Sequence, residues 1–132
     1  MIRWKKTNPM PRNRDRRYIT DFEVAVWIVK PKGKWIFNRQ SDTYDTCEYI
    51  YSLTPKNEKV GHTTQKPTQL MNEIILRHTN ENQIILDPFI GSGSTIISCL
   101  NTNRQYIGFE LDENYYNLAN ERISKHINKI LI

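Results

Sequence analysis

A glycine-rich turn directly after a short apolar run is the feature that most constrains what this chain can form. Residues 87–95 read Asp-Pro-Phe-Ile-Gly-Ser-Gly-Ser-Thr and follow Ile84-Ile85-Leu86. The apolar run predicts a buried strand. Gly91 and Gly93 carry no side chain, so the backbone of the turn can pass close to a ligand. The sequence therefore predicts a strand that ends in an acid and a ligand-binding turn.

The residues after the turn complete a strand–turn–helix–strand unit that ends in a second acid. A helix is predicted from Ser94 or Thr95, and a second strand at Tyr106 to Phe109 leads to Glu110. In nucleoside-binding βαβ units, an acid about 20 residues beyond the glycines binds the ribose. The order of these elements favours a site for an adenosine-type cofactor over a plain connection between a strand and a helix.

Two departures from phosphate-binding turns narrow the choice of cofactor. Ser94 and Thr95 follow the second glycine, so the third glycine of a dinucleotide fingerprint is absent, and no lysine follows as in a phosphate-binding P-loop. A cofactor with an adenosine but no phosphates therefore fits better than a dinucleotide or a triphosphate.

Residues 62–132 alternate predicted helices and strands. Pro67 suits the first turn of a helix that carries apolar residues at helical spacing up to His78. The strand Gln83 to Asp87, a helix from Ser94 to Asn101 and the strand ending before Glu110 follow. A last helix begins near Glu113. This alternation predicts an α/β fold with a parallel sheet and helices packed on it.

Residues 1–61 are basic and aromatic and differ from the periodic part. Strand-like pieces lie at Phe22 to Val29 and Lys34 to Asn38, and the turn residues Pro31-Lys32-Gly33 between them predict an antiparallel β-hairpin. Residues 39–61 show little periodicity apart from Tyr49-Ile50-Tyr51, and we expect this segment to be exposed. We therefore divide the chain into residues 1–61 and residues 62–132.

The chain has a net charge of +5 and a pI near 9.3, and its positive charge is concentrated in the first part of the sequence. Six cations of the first 17 residues are the predicted nucleic-acid contacts: Lys5, Lys6, Arg12, Arg14, Arg16 and Arg17. A cationic surface attracts a polyanion before any specific contact forms. The alternative is a solvated basic loop, which the neighbouring aromatic residues make less favourable because they can stack on bases.

Cysteine spacing and hydropathy indicate the compartment. Cys47 and Cys99 lie far apart without metal-ligand spacing, so two reduced cysteines and no metal site are expected. No apolar run approaches the 18 or so residues needed to span a membrane, and no signal peptide is recognised. These features predict a cytoplasmic protein.

Four segments together resemble the amino-group DNA methyltransferases, which make N6-methyladenine or N4-methylcytosine. The residues 87–95 are similar to the S-adenosylmethionine motif of that family. The segment His62 to Pro67 resembles its second cofactor segment, as ordered in the circularly permuted, beta-type subgroup, and Gly108-Phe109-Glu110 resembles the ribose-binding motif. Upstream, Trp4 to Arg12 resembles the segment that follows the catalytic loop in members that modify adenine. The resemblance implies an incomplete Rossmann-like methyltransferase sheet, S-adenosylmethionine as cofactor and double-stranded DNA as partner.

Carried over residue by residue, the resemblance implies two groups of cofactor-binding residues. The methionine side of the cofactor would lie against Asp87, Pro88, Phe89, Gly91 and Gly93. Glu110 would accept hydrogen bonds from the ribose hydroxyls, and the opposite wall would consist of Thr63, Thr64, Lys66 and Pro67. His62, a lone histidine in a loop, is expected to be structural. Asp112 and Glu113 are expected to be helix-start carboxylates favoured by the helix dipole.

The chain departs from the family at the catalytic loop, (Asp/Asn/Ser)-Pro-Pro-(Tyr/Phe/Trp). No Pro-Pro pair occurs in the sequence, and Asn8-Pro9-Met10-Pro11 lacks both the second adjacent proline and the aromatic residue. In the permuted order this loop precedes Trp4. The resemblance therefore predicts a C-terminal portion of a methyltransferase without catalytic residues. We expect weak or no activity from the chain alone, since the loop forms one wall of the target-base pocket.

Three functional interpretations remain open from the sequence. The leading one is the cofactor-binding and DNA-contacting portion of an adenine-specific DNA methyltransferase, either truncated or one half of a split enzyme whose partner chain supplies the loop. The second is a nucleic-acid-binding module that has lost catalysis. The third is a small-molecule or RNA methyltransferase on the same fold.

Overall fold

The computed structural model describes residues 1–11 and 15–130. Within these residues the chain forms five strands and three helices: β1 (Ile2–Lys6), β2 (Phe22–Ala25), β3 (Glu48–Tyr51), α1 (Thr68–His78), β4 (Ile84–Asp87), α2 (Ser94–Asn101), β5 (Gln105–Gly108) and α3 (Glu113–Ile130). None of these helices is long and apolar enough to cross a membrane.

The predicted βαβ unit is present. β4 pairs in parallel with β5, with Ile84 opposite Gln105 and Asp87 opposite Gly108, and α2 forms the crossover between them. A parallel pair requires such a connection because the chain must return to the same end of the sheet. The predicted α/β alternation of residues 62–132 is confirmed, with strand bounds that differ by one residue.

A hydrophobic cluster between the glycine turn, α2 and α3 holds this unit together. It consists of Ile90, Ile96, Ile97, Ala119 and Ile123. The α3 members recur four residues apart and therefore lie on one face of the helix. Gly93 has a φ of +77°, and a Cβ on it would lie 3.4 Å from the Cβ of Ala119. Glycine at this position thus permits both the turn and the close approach of α3.

The basic first part of the chain forms a second, three-stranded sheet. β1 lies in the centre, antiparallel to β2 and parallel to β3. Trp4 and Tyr49 are buried on it and pack against Leu70 of α1. The indole N–H of Trp4 donates a hydrogen bond to the carbonyl of Tyr51 at 3.0 Å. This cluster joins residues 1–61 to the first helix of the periodic part.

The predicted β-hairpin is wrong in its second strand. The turn at Pro31 to Gly33 forms, with the Gly33 N–H donating to the Lys30 carbonyl at 2.8 Å, but residues 34–38 make no strand. Asn38 instead reaches the end of α1, where its backbone N–H donates to the Arg77 carbonyl at 2.7 Å. The last carbonyls of a helix lack partners within it, and Asn38 satisfies them better than a hairpin would. β2 ends at Ala25 and pairs with β1.

The segment 39–61 is less exposed than expected because it contains β3. Tyr49 of this strand is buried, and its hydroxyl accepts a hydrogen bond from Arg77 at 3.1 Å. Arg77 also forms ion pairs of 3.0 Å with Asp45 and Glu73. This buried charge cluster fixes β3 to α1.

The strand before the glycine turn is not buried as predicted. Ile84 and Leu86 are 60% and 61% exposed, and Phe89 at the turn is 85% exposed. The reason is that α2 and α3 cover one face of the β4–β5 pair, whereas among the described residues nothing covers the other. The free edge of β4 likewise has no strand beside it within the described ranges.

Candidate cofactor-binding cleft

A cleft of about 760 Å³ lies at the carboxyl ends of β4 and β5. Ligands of open α/β sheets bind at this end of the strands. The lining residues come from the segment before α1, the glycine turn and the start of α3: His62, Thr64, Gln65, Lys66, Asp87, Phe89, Ile90, Gly91, Ser92, Ser94, Thr95, Glu110, Leu111, Asp112 and Tyr115.

The glycine turn has a defined backbone geometry. Gly91 has a φ of +51°, a conformation that favours glycine. A carboxylate oxygen of Asp87 accepts the Phe89 N–H at 2.9 Å, and the Ile90 N–H donates to the Phe109 carbonyl at 3.0 Å. These bonds fix the turn to the end of β5.

Glu110 connects the glycine turn to the start of α3. Its carboxylate accepts the N–H of Gly91 at 2.8 Å and the N–H of Asp112 at 3.0 Å. Donation from Asp112 first, and then from Gly91, lowers the pKa of Glu110. The group is therefore an anion at neutral pH. Asp112 in turn accepts the N–H groups of Asn114 and Tyr115 at 2.9 and 3.1 Å, which confirms it as a helix-start carboxylate.

Lys66 forms part of the opposite wall of the cleft. Its ammonium group lies 2.8 Å from a carboxylate oxygen of Glu23 and 5.8 Å from the ring centroid of Trp4. Burial opposes ionisation of Glu23, but hydrogen bonds from Lys66 and Lys6 outweigh it and lower the pKa of Glu23. The backbone carbonyl of Lys66 accepts the Ser94 hydroxyl at 2.9 Å, which ties this wall to α2.

Arg122 of α3 donates hydrogen bonds to residues on both sides of the cleft, from a position outside its lining. Its guanidinium donates to the Ser92 carbonyl and the Ser94 hydroxyl at 3.0 and 3.1 Å. It also donates to a Glu58 carboxylate oxygen at 3.0 Å and the Thr68 hydroxyl at 3.2 Å. Sequence reasoning did not assign this role to Arg122, because its partners lie 28 to 64 positions away and no local spacing connects them.

A second groove, of about 780 Å³, lies between residues 55–60, α1 and α3. It contains no residue of the glycine turn and no part of Glu110. Arg122 borders this groove, but its donors are directed to the partners named above. We therefore assign the site to the cleft at the strand ends, where the backbone geometry suits a ligand.

The structure brings six of the ten predicted cofactor-binding residues into the cleft: Thr64, Lys66, Asp87, Phe89, Gly91 and Glu110. The other four, Thr63, Pro67, Pro88 and Gly93, do not line it. Pro67 is buried at the start of α1, and Gly93 packs against α3. The cleft lining also includes His62, which was expected to be structural, and Tyr115, to which no role was assigned; their ring centroids are 4.4 Å apart. The proximity of Tyr115 to the acid of the ribose motif was the available signal.

The predicted DNA-contacting cations differ in their surroundings. Lys5 forms an ion pair with Asp21, and Lys6 forms one with Glu23 at 3.0 Å. Both charges are thus partly neutralised within the chain. Arg16 and Arg17 are exposed. The remaining two predicted contacts, Arg12 and Arg14, lie outside the described residues.

Comparison with known proteins decides the family. Residues 1–121 match the N6/N4 methyltransferase family, described as DNA methylase. The chain belongs to this family. It is 34% identical to the type II methyltransferase M2.LlaDCHI of Lactococcus lactis subsp. cremoris and 35% identical to M2.DpnII of Streptococcus pneumoniae, over 94% and 92% of its own length. Both relatives are type II methyltransferases by name.

A solved structure agrees with the fold. The crystal structure of the M1.HpyAVI–SAM complex has a TM-score of 0.86 and 45% sequence identity over 92% of this chain. The resemblance to the permuted amino-group methyltransferases, the Rossmann-like fold and the S-adenosylmethionine dependence of the family are thereby confirmed.

The chain spans about half the length of the curated relatives that it matches. It covers 50% of M2.LlaDCHI, 49% of M2.DpnII and 60% of the M1.HpyAVI chain. The activity of those whole proteins is therefore not transferred directly to this chain.

The cleft fits the cofactor of the family. Its volume lies within the range of small-molecule sites, about 300–1,000 Å³. Three carboxylates line it, on Asp87, Glu110 and Asp112. S-adenosylmethionine carries positive charge on its sulfur and its amino group, which an acidic cleft attracts. The bare backbone at Gly91 makes room for the His62 ring, whose Nε2 would lie 2.9 Å from a Cβ at this position.

Proposed function

We propose that this chain is the cofactor-binding and DNA-contacting portion of a site-specific DNA methyltransferase of a restriction–modification system. It would bind S-adenosylmethionine and double-stranded DNA in the cytoplasm for methyl transfer to an exocyclic amino group. The observation that carries this proposal is the hydrogen bond from the Gly91 N–H to the Glu110 carboxylate at 2.8 Å, which supports Glu110 as the acid that would bind the ribose beside the glycine turn.

The described residues suggest how the cofactor would be held. Each carboxylate oxygen of Glu110 accepts one backbone N–H, so two lone pairs remain for the ribose hydroxyls. Asp87 and Gly91 would face the methionine side. S-adenosylmethionine supplies an electrophilic methyl group, and the chain's own contribution is to fix its position, since alignment provides much of the rate acceleration.

Isothermal titration of the purified chain with S-adenosylmethionine tests this proposal. We expect binding that weakens about tenfold or more in Glu110→Gln, because hydrogen bonds to a charged group contribute about 1.5–3 kcal/mol. Glu113→Gln is the matched control: this acid lies three residues away on α3, outside the cleft lining, and the variant should bind like the wild type. Absence of binding by the wild-type chain would contradict the proposal.

We propose adenine N6 as the target nitrogen, because Trp4 to Arg12 resembles the corresponding segment of adenine-modifying members. Nucleoside mass spectrometry of DNA modified by the complete enzyme distinguishes the two products. N6-methyl-2′-deoxyadenosine is expected, and N4-methyl-2′-deoxycytidine would contradict the choice of base.

We further propose that the chain alone does not transfer methyl groups and requires a polypeptide segment that carries the Pro-Pro loop. The sequence has no such loop, and the exposed side chains of Ile84, Leu86 and Ile107 offer an apolar sheet face that such a segment would cover. The partner is either the missing part of the same protein or a second chain. The same segment would also place a strand beside the free edge of β4.

The assay incubates the pure chain with labelled S-adenosylmethionine and plasmid DNA. We expect no incorporation above the blank. Adding a polypeptide with an (Asp/Asn/Ser)-Pro-Pro-aromatic loop and its flanking strands should produce incorporation. Robust transfer by the pure chain would refute the requirement.

DNA contact through the basic first part is tested by the salt dependence of duplex binding. Arg16 and Arg17 are exposed, and each phosphate contact contributes about 0.9 to the slope of log K against log salt. Replacing both with glutamine should lower the slope by about 2, whereas Lys125→Gln on α3 should not. Duplex binding without any S-adenosylmethionine binding would favour the alternative of a nucleic-acid-binding remnant.

A further inference from the structure

Glu23 of β2 pairs with two lysines from different parts of the chain. One of its carboxylate oxygens lies 2.8 Å from the ammonium nitrogen of Lys66, and the other lies 3.0 Å from that of Lys6. Both ammonium groups also lie over the ring of Trp4, 5.8 and 5.3 Å from its centroid. Lys66 lines the cleft, whereas Glu23 does not. Glu23 therefore acts on the cleft through the charge of Lys66.

This pairing determines how much positive charge faces the cleft. Among the residues that the structure describes, Glu23 is the only carboxylate within ion-pair distance of Lys66. The acids on the lining are Asp87, Glu110 and Asp112. While Glu23 neutralises Lys66, the charge of these three acids dominates the cleft. Without Glu23, the ammonium group would add its full charge to the cleft or pair with one of the lining carboxylates.

The methyl donor and its product differ in one charge. S-adenosylmethionine carries a sulfonium, whereas loss of its methyl group leaves S-adenosylhomocysteine with an uncharged thioether. The two molecules share the adenosine, the amino group and the carboxylate. An unpaired cation on the wall acts on these shared groups in both ligands, but it repels the sulfur of the donor alone.

On the basis of the proposed cofactor, we propose that Glu23 determines how strongly the cleft prefers the methyl donor over its demethylated product, by neutralising Lys66. Glu23 is thus a positioning residue for the cleft and touches neither ligand. The side chains of Lys66 and Glu23 are 42% and 41% exposed, so water and salt screen the effect. A screened charge at the edge of a site changes binding of a cation by about threefold to tenfold.

Titration of each variant with both ligands gives the ratio of the dissociation constants of product and donor. In Glu23→Gln this ratio should fall about threefold to tenfold, because the charge of Lys66 is no longer neutralised. The double variant Glu23→Gln/Lys66→Gln should return to within about twofold of the wild-type ratio, since the cation is removed as well. Asp21→Asn is the matched control: this acid pairs with Lys5, which does not line the cleft, so the ratio should not change.

The ionic strength separates a charge effect from a change of shape. The difference between the wild type and Glu23→Gln should shrink as salt rises from about 0.05 M to about 0.5 M, because screening shortens the reach of the charge. Thermal unfolding checks that each variant is folded, and the titrations are made below the transition of the least stable one. Equal weakening of both ligands at every salt concentration would leave Glu23 as a structural contact and overturn the inference. A double variant that keeps the low ratio would overturn it too, because Lys66 would then not carry the effect.

The same titrations distinguish this inference from the proposed function. If the wild-type chain does not bind S-adenosylmethionine, the proposed function itself fails. If the wild type binds and the ratio is unchanged in Glu23→Gln, the cofactor is confirmed and the role of Glu23 is refuted.

Discussion

Replacing Arg122 with methionine tests whether the cleft depends on a side chain behind it. The guanidinium donates four hydrogen bonds, to the glycine turn, to the start of α2, to Glu58 and to the Thr68 hydroxyl. Methionine keeps most of the apolar stem but no donor. The substitution leaves the Ser92 carbonyl and the Glu58 carboxylate without their strongest partner.

The expected magnitude follows from burial. The side chains of Arg122 and Glu58 are 9% and 22% exposed, so the pair lies largely out of water. Breaking a buried pair by removing one partner costs about 3–5 kcal/mol. Glu58 keeps some exposure and the Thr68 N–H at 2.9 Å, so we expect a loss of about 2–4 kcal/mol. At about 3–5 °C per kcal/mol for this chain length, the melting temperature should fall by about 6–20 °C.

Urea denaturation followed by circular dichroism measures the loss in a double-mutant cycle of Arg122→Met and Glu58→Gln. Removing both charges should cost less than the sum of the single losses, by about 1 kcal/mol or more. Lys125→Met, on the same helix, is the control: its pair with Glu121 is 70% and 62% exposed, and its loss should be below about 0.5 kcal/mol. An Arg122→Met loss as small as the control, or no coupling with Glu58, would refute the reasoning.

Three further predictions concern the βαβ unit. Gly108→Ala should destabilise the chain by about 1–3 kcal/mol in urea, because its Cβ would lie 2.5 Å from Ile90 and 3.0 Å from Ile96 in the core. Because the pKa of Glu110 is lowered, its ionised carboxylate stabilises the folded chain. This stabilisation is fully present above the ordinary pKa of 4.5 and is lost as the pH falls through the lowered pKa. The urea midpoints of wild type and Glu110→Gln should therefore differ at pH 7 and converge at acidic pH, below the lowered pKa. A difference that stays constant with pH would refute a stabilising role of the ionised carboxylate. Leu86→Lys should reduce concentration-dependent self-association in gel filtration at unchanged stability, because this side chain is 61% exposed, and a large loss of stability would contradict an uncovered face.

The sequence predicted the parts of the fold that depend on neighbouring residues. The helix from Ser94 to Asn101 and the long helix from Glu113 were predicted at their observed starts, since their apolar spacing and turn residues are local signals. Four of the six predicted cofactor-binding residues that line the cleft do so for the same reason, because the turn and the acid lie within one βαβ unit; the other two, Thr64 and Lys66, come from the segment before α1. Gly93 is the instructive exception, because its environment is set by Ala119 on another helix.

The features that the sequence did not predict depend on contacts between residues that are far apart in the chain. The hairpin prediction failed because Asn38 bonds to the end of α1, a contact that no spacing within residues 22–38 encodes. Burial of Ile84 and Leu86 was predicted from their hydrophobicity, but burial requires a covering element, and composition does not say whether one is present. The ion pairs that occupy Lys5 and Lys6 are likewise tertiary.

The walls of the cleft are held by contacts within this chain, whereas one face of the β4–β5 sheet has no covering element among the described residues. Glu110 and Arg122 fix the walls of the cleft with contacts that lie wholly within the chain. The other face of the β4–β5 pair is apolar and uncovered within the described residues, as the exposure of Ile84 and Ile107 indicates. Holding a methyl donor needs only the first set of contacts, whereas aligning a flipped base needs a second wall. Cofactor binding and methyl transfer should therefore be separable in this chain, with the first present and the second dependent on the segment that covers the sheet.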